Sequence, residues 1–173
     1  MPPRVILIGA PGSGKTTVGA LLAQRWQTAL RESDDQVEAT AAATISDIYV
    51  DEGEAGFRRR ETDAVREVLA TEGTVVALGG GAVESTDTRE LLTATSRVCP
   101  VVHLAVGANE SGKRMGITGI RPVGLGNVRS QWNGMMARRR PLYEEVATVS
   151  VDTDRLGPDE VVAEILAHVE EPS

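Results

Sequence analysis

The chain has 173 residues, 25 acidic against 18 basic, with a formal net charge of −7. That length suits one well-packed α/β domain and is short for two, and no stretch concentrates enough positive charge to make nucleic acid a main partner. A lone cysteine, Cys99, excludes an internal disulfide framework, and no apolar run reaches the roughly 18–20 residues that span a bilayer.

The opening residues pass straight into Val5–Ile8, a short apolar segment that reads as a buried strand. No signal pattern precedes it, so a cytoplasmic protein is expected. Next comes Gly9-Ala10-Pro11-Gly12-Ser13-Gly14-Lys15-Thr16, then Thr17, matching G-x-x-x-x-G-K-[ST] at every fixed position. A helix pattern follows, with Val18, Leu21, Leu22, Arg25 and Trp26 spaced as one face. Strand, glycine loop and helix are the context this phosphate-binding motif requires. The glycines let the loop backbone approach an anion, and the amides at the helix start converge on it with the helix dipole. Lys15 supplies a point charge for the β- and γ-phosphates, and the Thr16 hydroxyl can ligate Mg²⁺. Nucleoside triphosphate binding is therefore expected.

A weak strand over 28–31 leads into Glu32, Ser33, Asp34 and Asp35, carboxylates placed where ligands sit beyond strand ends. Capping of the next helix by Ser33 or Asp34 and a catalytic role fit these residues equally well. A short helix over 44–49, capped by Ser46 and ended by Gly53, precedes a longer helix over 54–70. Arg58, Arg59 and Arg60 stand near the start of that helix. There they oppose its dipole, which suggests a use beyond solvation. A strand over 73–78, apolar after Gly73 and Thr74, runs into Gly79, Gly80 and Gly81. Three successive glycines are entropically expensive and suggest a ligand against the backbone. Ser85 or Thr86 then caps a helix.

The strand over 101–105 carries His103, expected as a satisfied core or edge residue, and Cys99 as a small apolar filler. Residues 111–126, with five glycines, a proline and three cations, read as a mobile flap. A helix from about Val128 ends in Arg138, Arg139, Arg140, Pro141, Leu142 and Tyr143. A strand over 148–151 and an amphipathic helix, Pro158–Val169, close the chain. Strand and helix alternate throughout, so a five-stranded parallel sheet with helices on both faces is expected, a three-layer α/β/α architecture. Neither histidine has partners at zinc-ligand spacing.

Taken together, the phosphate loop, the Glu32-Ser33-Asp34 acids, the Phe57-Arg58-Arg59-Arg60-Glu61 run, Leu78 through Val83, Ile120-Arg121-Pro122 and Arg138 through Tyr143 resemble the shikimate kinase family. That family lies within the nucleoside monophosphate kinase-like P-loop folds. The resemblance covers nearly the whole chain and implies γ-phosphoryl transfer from ATP to the 3-hydroxyl of shikimate, with Mg²⁺. It implies one domain, with a substrate-binding segment about 33–61 and a mobile lid about 112–125, working as a monomer. By that likeness Asp34 holds the 3-hydroxyl and accepts its proton, Arg58 and Arg139 grip the carboxylate, and Glu61 fixes Arg58. Gly79, Gly80 and Gly81 lie against the substrate ring. Gly12, Ser13, Gly14, Lys15, Thr16 and Thr17 cradle the phosphates, Arg121 closes over the transferring group, and Arg114 and Arg155 flank adenine. Thr16 and, through water, Glu32 serve the metal. The chain departs from the family at Glu32, usually Asp, and at Ala77, often Ser. Two alternatives stand beside this reading: a gluconate-type sugar-acid kinase of the same fold, and a non-catalytic nucleotide-binding regulator.

Overall fold

The computed structural model describes residues 1–117 and 128–169. Arg121 and positions 118–125 of the expected lid lie outside the described residues.

Five strands form one sheet in the order β2-β3-β1-β4-β5: β1 (Val5–Ile8), β2 (Leu30–Glu32), β3 (Val75–Ala77), β4 (Val101–Ala105) and β5 (Val149–Asp152). Every neighbouring pair is parallel, as alternating strand and helix require. The central strand is buried on both faces, which is why its four residues are apolar without a polar alternate. Side chains nevertheless divide by the strand period of two. Ile6 and Ile8 join Val76, Leu78 and Val101 under α3 (Ile45–Leu69), α4 (Thr86–Thr95) and α6 (Val128–Val146). Val5 and Leu7 join Val75, Val102 and Leu104 under α1 (Lys15–Arg25) and α7 (Pro158–Val169). A separate small core of Val37, Ile48, Phe57 and Ala64 joins α2 (Ser33–Ala41) to α3.

Several local expectations change. The second strand lies later than 28–31, at Leu30–Glu32, and α2 starts at once after it. Neither Ser33 nor Asp34 caps α2; the N-cap is Glu32, with no side-chain cap bond, and the Ser33 hydroxyl instead accepts from the Gly79 amide at 2.8 Å. The cap expected at Ser46 belongs to Thr44, whose hydroxyl accepts from the Asp47 amide at 3.1 Å and donates to its carboxylate at 2.7 Å. This exchange satisfies an orphan amide of the first turn. Gly53 breaks the helical backbone where expected, with φ 68° and ψ −178°, and the two helical stretches meet across that kink within α3. Gly81 leads into a 3-10 turn, Ala82–Glu84, and Ser85 caps α4. Finally, α5 (Ala108–Arg114) takes the first residues of the expected flap, with Ser111 and Gly112 buried, and α6 continues through Pro141 to Val146.

Candidate active site

The phosphate loop lies at the carboxyl end of β1, where the sheet order reverses between β3 and β4, the place at which open α/β sheets bind ligands. Gly12, Gly14, Lys15, Thr16, Thr17, Glu32, Asp34, Ala77, Gly79 and Gly80 line one cleft there, of about 350 Å³. Ser13 is buried beneath the loop. Lys15 folds back, donating to the carbonyls of Gly9 at 2.7 Å and Ala10 at 3.1 Å. Burial lowers its ammonium pKa to about 8, although the Asp34 and Glu32 carboxylates pull the other way.

Asp34 stands on the first turn of α2, placed there because β2 runs directly into that helix. Burial raises its carboxyl pKa; Lys15 opposes this, while Glu32 and Asp35 add to it. A half-buried carboxylate with a raised pKa, sharing a cleft with a lysine, has the character of a proton acceptor. Glu32 lies opposite Ala77 in the ladder and accepts from the Thr16 hydroxyl at 2.6 Å. Two hard oxygen donors therefore meet beside Lys15. This donor set suits Mg²⁺, which takes one or two protein ligands together with phosphates.

A second group lies around the turn after β3. Arg58 donates to Glu61 at 2.6 Å and to Glu84 at 3.3 Å. Burial works against its charge, but the bond to Glu61 and the acids around it raise its pKa overall. Glu61 is buried, and burial raises its pKa although Arg58 opposes the shift. Arg139 is only 9% exposed and donates from Nε to Glu84 at 3.0 Å. The triple glycine joins the two groups by making room. A Cβ on Gly79 would lie 2.5 Å from Asp34 Oδ1 and 2.9 Å from Glu61 Oε1, and one on Gly81 would lie 2.5 Å from Arg58 Nη1. The groups that crowd Gly79 and Gly81 are the protein's own charged side chains, and Pro11 crowds Gly80.

Of the adenine candidates, Arg114 donates to the carbonyls of Gly12 at 3.1 Å and Thr153 at 2.7 Å, so it borders the phosphate loop. Arg155 is not brought to the cleft; it is exposed in a shallow hollow with Asn109, Glu110 and Asp154. Sequence reasoning missed Glu84 and the role of Tyr143, whose hydroxyl donates to the Gly80 carbonyl. Burial drives the Tyr143 phenol pKa up to about 12. The acid excess gave no hint of which carboxylate would pair with the arginines.

Comparison with known proteins identifies the family. Residues 11–170 match the family model described as shikimate kinase. A shikimate kinase of Streptomyces avermitilis is 46% identical over 97% of this chain and 96% of its own. One from Mycobacterium tuberculosis is 41% identical over 100% of this chain and 97% of its own. Among solved structures, shikimate kinase from Acinetobacter baumannii in complex with shikimate superposes with a TM-score of 0.86 at 32% identity, covering 98% and 93% of the two chains. A gluconokinase from Sinorhizobium meliloti reaches a TM-score of 0.64 at 22% identity, covering 98% of this chain and 92% of its own, a likeness of fold alone.

Proposed function

The chain belongs to the shikimate kinase family, and on that premise we propose how its residues carry out ATP-dependent phosphorylation of the shikimate 3-hydroxyl. The observation that carries the reading is the pairing of Lys15 and Asp34 in one cleft, with Glu61, Arg58 and Arg139 grouped just behind Gly79.

The loop amides and Lys15 receive the triphosphate, and on its arrival Lys15 exchanges two backbone carbonyls for phosphate oxygens. Thr16 and, through water, Glu32 would hold Mg²⁺, which would supply neutralisation of the charge that develops on the phosphates. Asp34 orients the acceptor hydroxyl toward the γ-phosphorus and takes its proton as the new P–O bond forms and the bond to ADP breaks. Arg58 and Arg139 hold the substrate carboxylate, a task suited to guanidinium forks. Glu61 keeps Arg58 in place. Arg121 is assigned to the transferring phosphate and Arg114 to the adenine side.

The test is a coupled ADP-release assay with Mg²⁺-ATP and shikimate, with gluconate and nucleoside monophosphates as competing acceptors. Shikimate-dependent turnover is expected, and Asp34→Asn is expected to lower kcat by about 10²–10⁴-fold. ATP affinity of that variant should stay within about threefold, under about 1 kcal/mol. Near-normal turnover by Asp34→Asn, or preference for gluconate, would overturn the reading.

A further inference from the structure

We propose that Glu84 is a positioning residue for the acceptor: its carboxylate bridges Arg58 and Arg139 and presets both guanidinium groups for the substrate's carboxylate. The inference rests on the site reading above.

Glu84 ends the 3-10 turn that follows Gly81, so the same turn that shapes the acceptor pocket delivers its carboxylate. Its two oxygens are divided between elements. Oε2 accepts from Arg58 Nη2 of α3 at 3.3 Å. Oε1 accepts from Arg139 Nε at 3.0 Å and Arg138 Nη2 at 3.2 Å, both of α6. Partial burial works against its charge, but the hydrogen bond and charge of Arg139, then Arg138 and Arg58, hold its pKa below the ordinary value. Its carboxylate is therefore an anion at neutral pH.

The bridge has two consequences. Two guanidinium groups that must face one small anion repel each other, and an intervening carboxylate offsets that repulsion before substrate arrives. Glu84 takes Arg139 at Nε, so this bond leaves the terminal guanidinium nitrogens out of the bridge. Glu61 does for Arg58 Nη1 what Glu84 does for its Nη2, so the fork is fixed from both sides. Fixing a long, flexible side chain in advance reduces the entropy lost when it binds. The effect belongs to acceptor binding, because among the described residues the hydrogen bonds and ion pairs of the Glu84 carboxylate go to Arg58, Arg138 and Arg139 and not to the phosphate loop.

The experiment compares steady-state kinetics of the wild type, Glu84→Gln, Glu84→Ala, Arg139→Ala and the Glu84→Gln/Arg139→Ala double variant. Glu84→Gln keeps the shape and removes the charge, so it serves if Glu84→Ala does not fold. Shikimate KM is expected to rise about tenfold in the Glu84 variants, with ATP KM and kcat within about threefold. In the Arg139→Ala background, Glu84→Gln should add less than about threefold, because one partner is already gone. An unchanged or lowered shikimate KM, equal rises in both KM values, or full additivity in the double variant would overturn the proposal. Failure of the site reading looks different: Arg139→Ala would leave shikimate KM at the wild-type value.

Discussion

Lys15 is held by two backbone carbonyls and the Ser13 hydroxyl, a poor substitute for the anion it is placed to meet. Its pKa of about 8 lies below that of an ordinary lysine, so the folded chain sheds this proton more readily than the unfolded one. The buried charge therefore costs stability below about pH 8, and the cost fades as pH rises toward 10.5. Lys15→Met is expected to leave Tm at pH 7 unchanged or raised while abolishing turnover; a clear fall in Tm would contradict this account. In the wild type, kcat/KM for ATP should fall as pH passes about 8, whereas kcat holds to higher pH because bound triphosphate stabilises the ammonium. Parallel alkaline limbs in the two profiles would count against it. Lys15 and Thr16 were legible from spacing alone, whereas Asp34 was legible only through the family resemblance, since its position fits a helix cap equally well. Glu32 was legible as a carboxylate, but its direct bond to Thr16 was not. That bond depends on reach across the strand ends, and the fixed motif positions do not encode reach.

At the scale of elements, α3 does two jobs. Its first turns carry Ile48 into the small core with Val37 and Phe57, and its later turns carry Val65 and Val68 onto the sheet. Gly53 lies between them at φ 68° and ψ −178°, a region essentially closed to other residues. A Cβ there meets nothing within 4 Å, so replacement costs backbone strain and not space. Gly53→Ala is expected to lower Tm by roughly 2–6 °C, read by thermal denaturation, and an unchanged Tm would mean that the kink can straighten freely. The break at Gly53 was legible, because glycine permits the positive φ that interrupts the helical backbone there. The cap, by contrast, was misplaced. Thr44 and Ser46 are both good cap residues, and only Thr44 has Asp47 three positions on to answer it.

Across the whole molecule the parallel sheet was legible because strands buried on both faces read as unbroken apolar runs, as in Val5–Ile8 and Val75–Ala77. The strand order β2-β3-β1-β4-β5 was not legible from any one residue. Among the described residues no helix is long and apolar enough to cross a membrane. His103, within β4, is 5% exposed, stacks on Tyr143 at 5.0 Å and faces Ser150. It met the expectation of a core histidine. Burial depresses its pKa to about 4, with Glu144 opposing the shift. As pH falls from 6.5 toward 4, the unfolded chain takes this proton first, so the contribution of His103 to stability is lost across that window. Asp34 and Glu61, with raised pKa values, act in the opposite sense, so the measurement must be a difference. Tm should fall more steeply between pH 6.5 and 4.5 in the wild type than in His103→Phe; parallel curves would refute the assignment.

The cluster of Val37, Ile48, Phe57 and Ala64 packs apart from the two layers that sandwich the sheet. A lineage could thus refashion this corner for a new acceptor while the phosphate-handling floor stayed untouched. Such modularity makes the scaffold easy to repurpose, since innovation at one end need not disturb inheritance at the other.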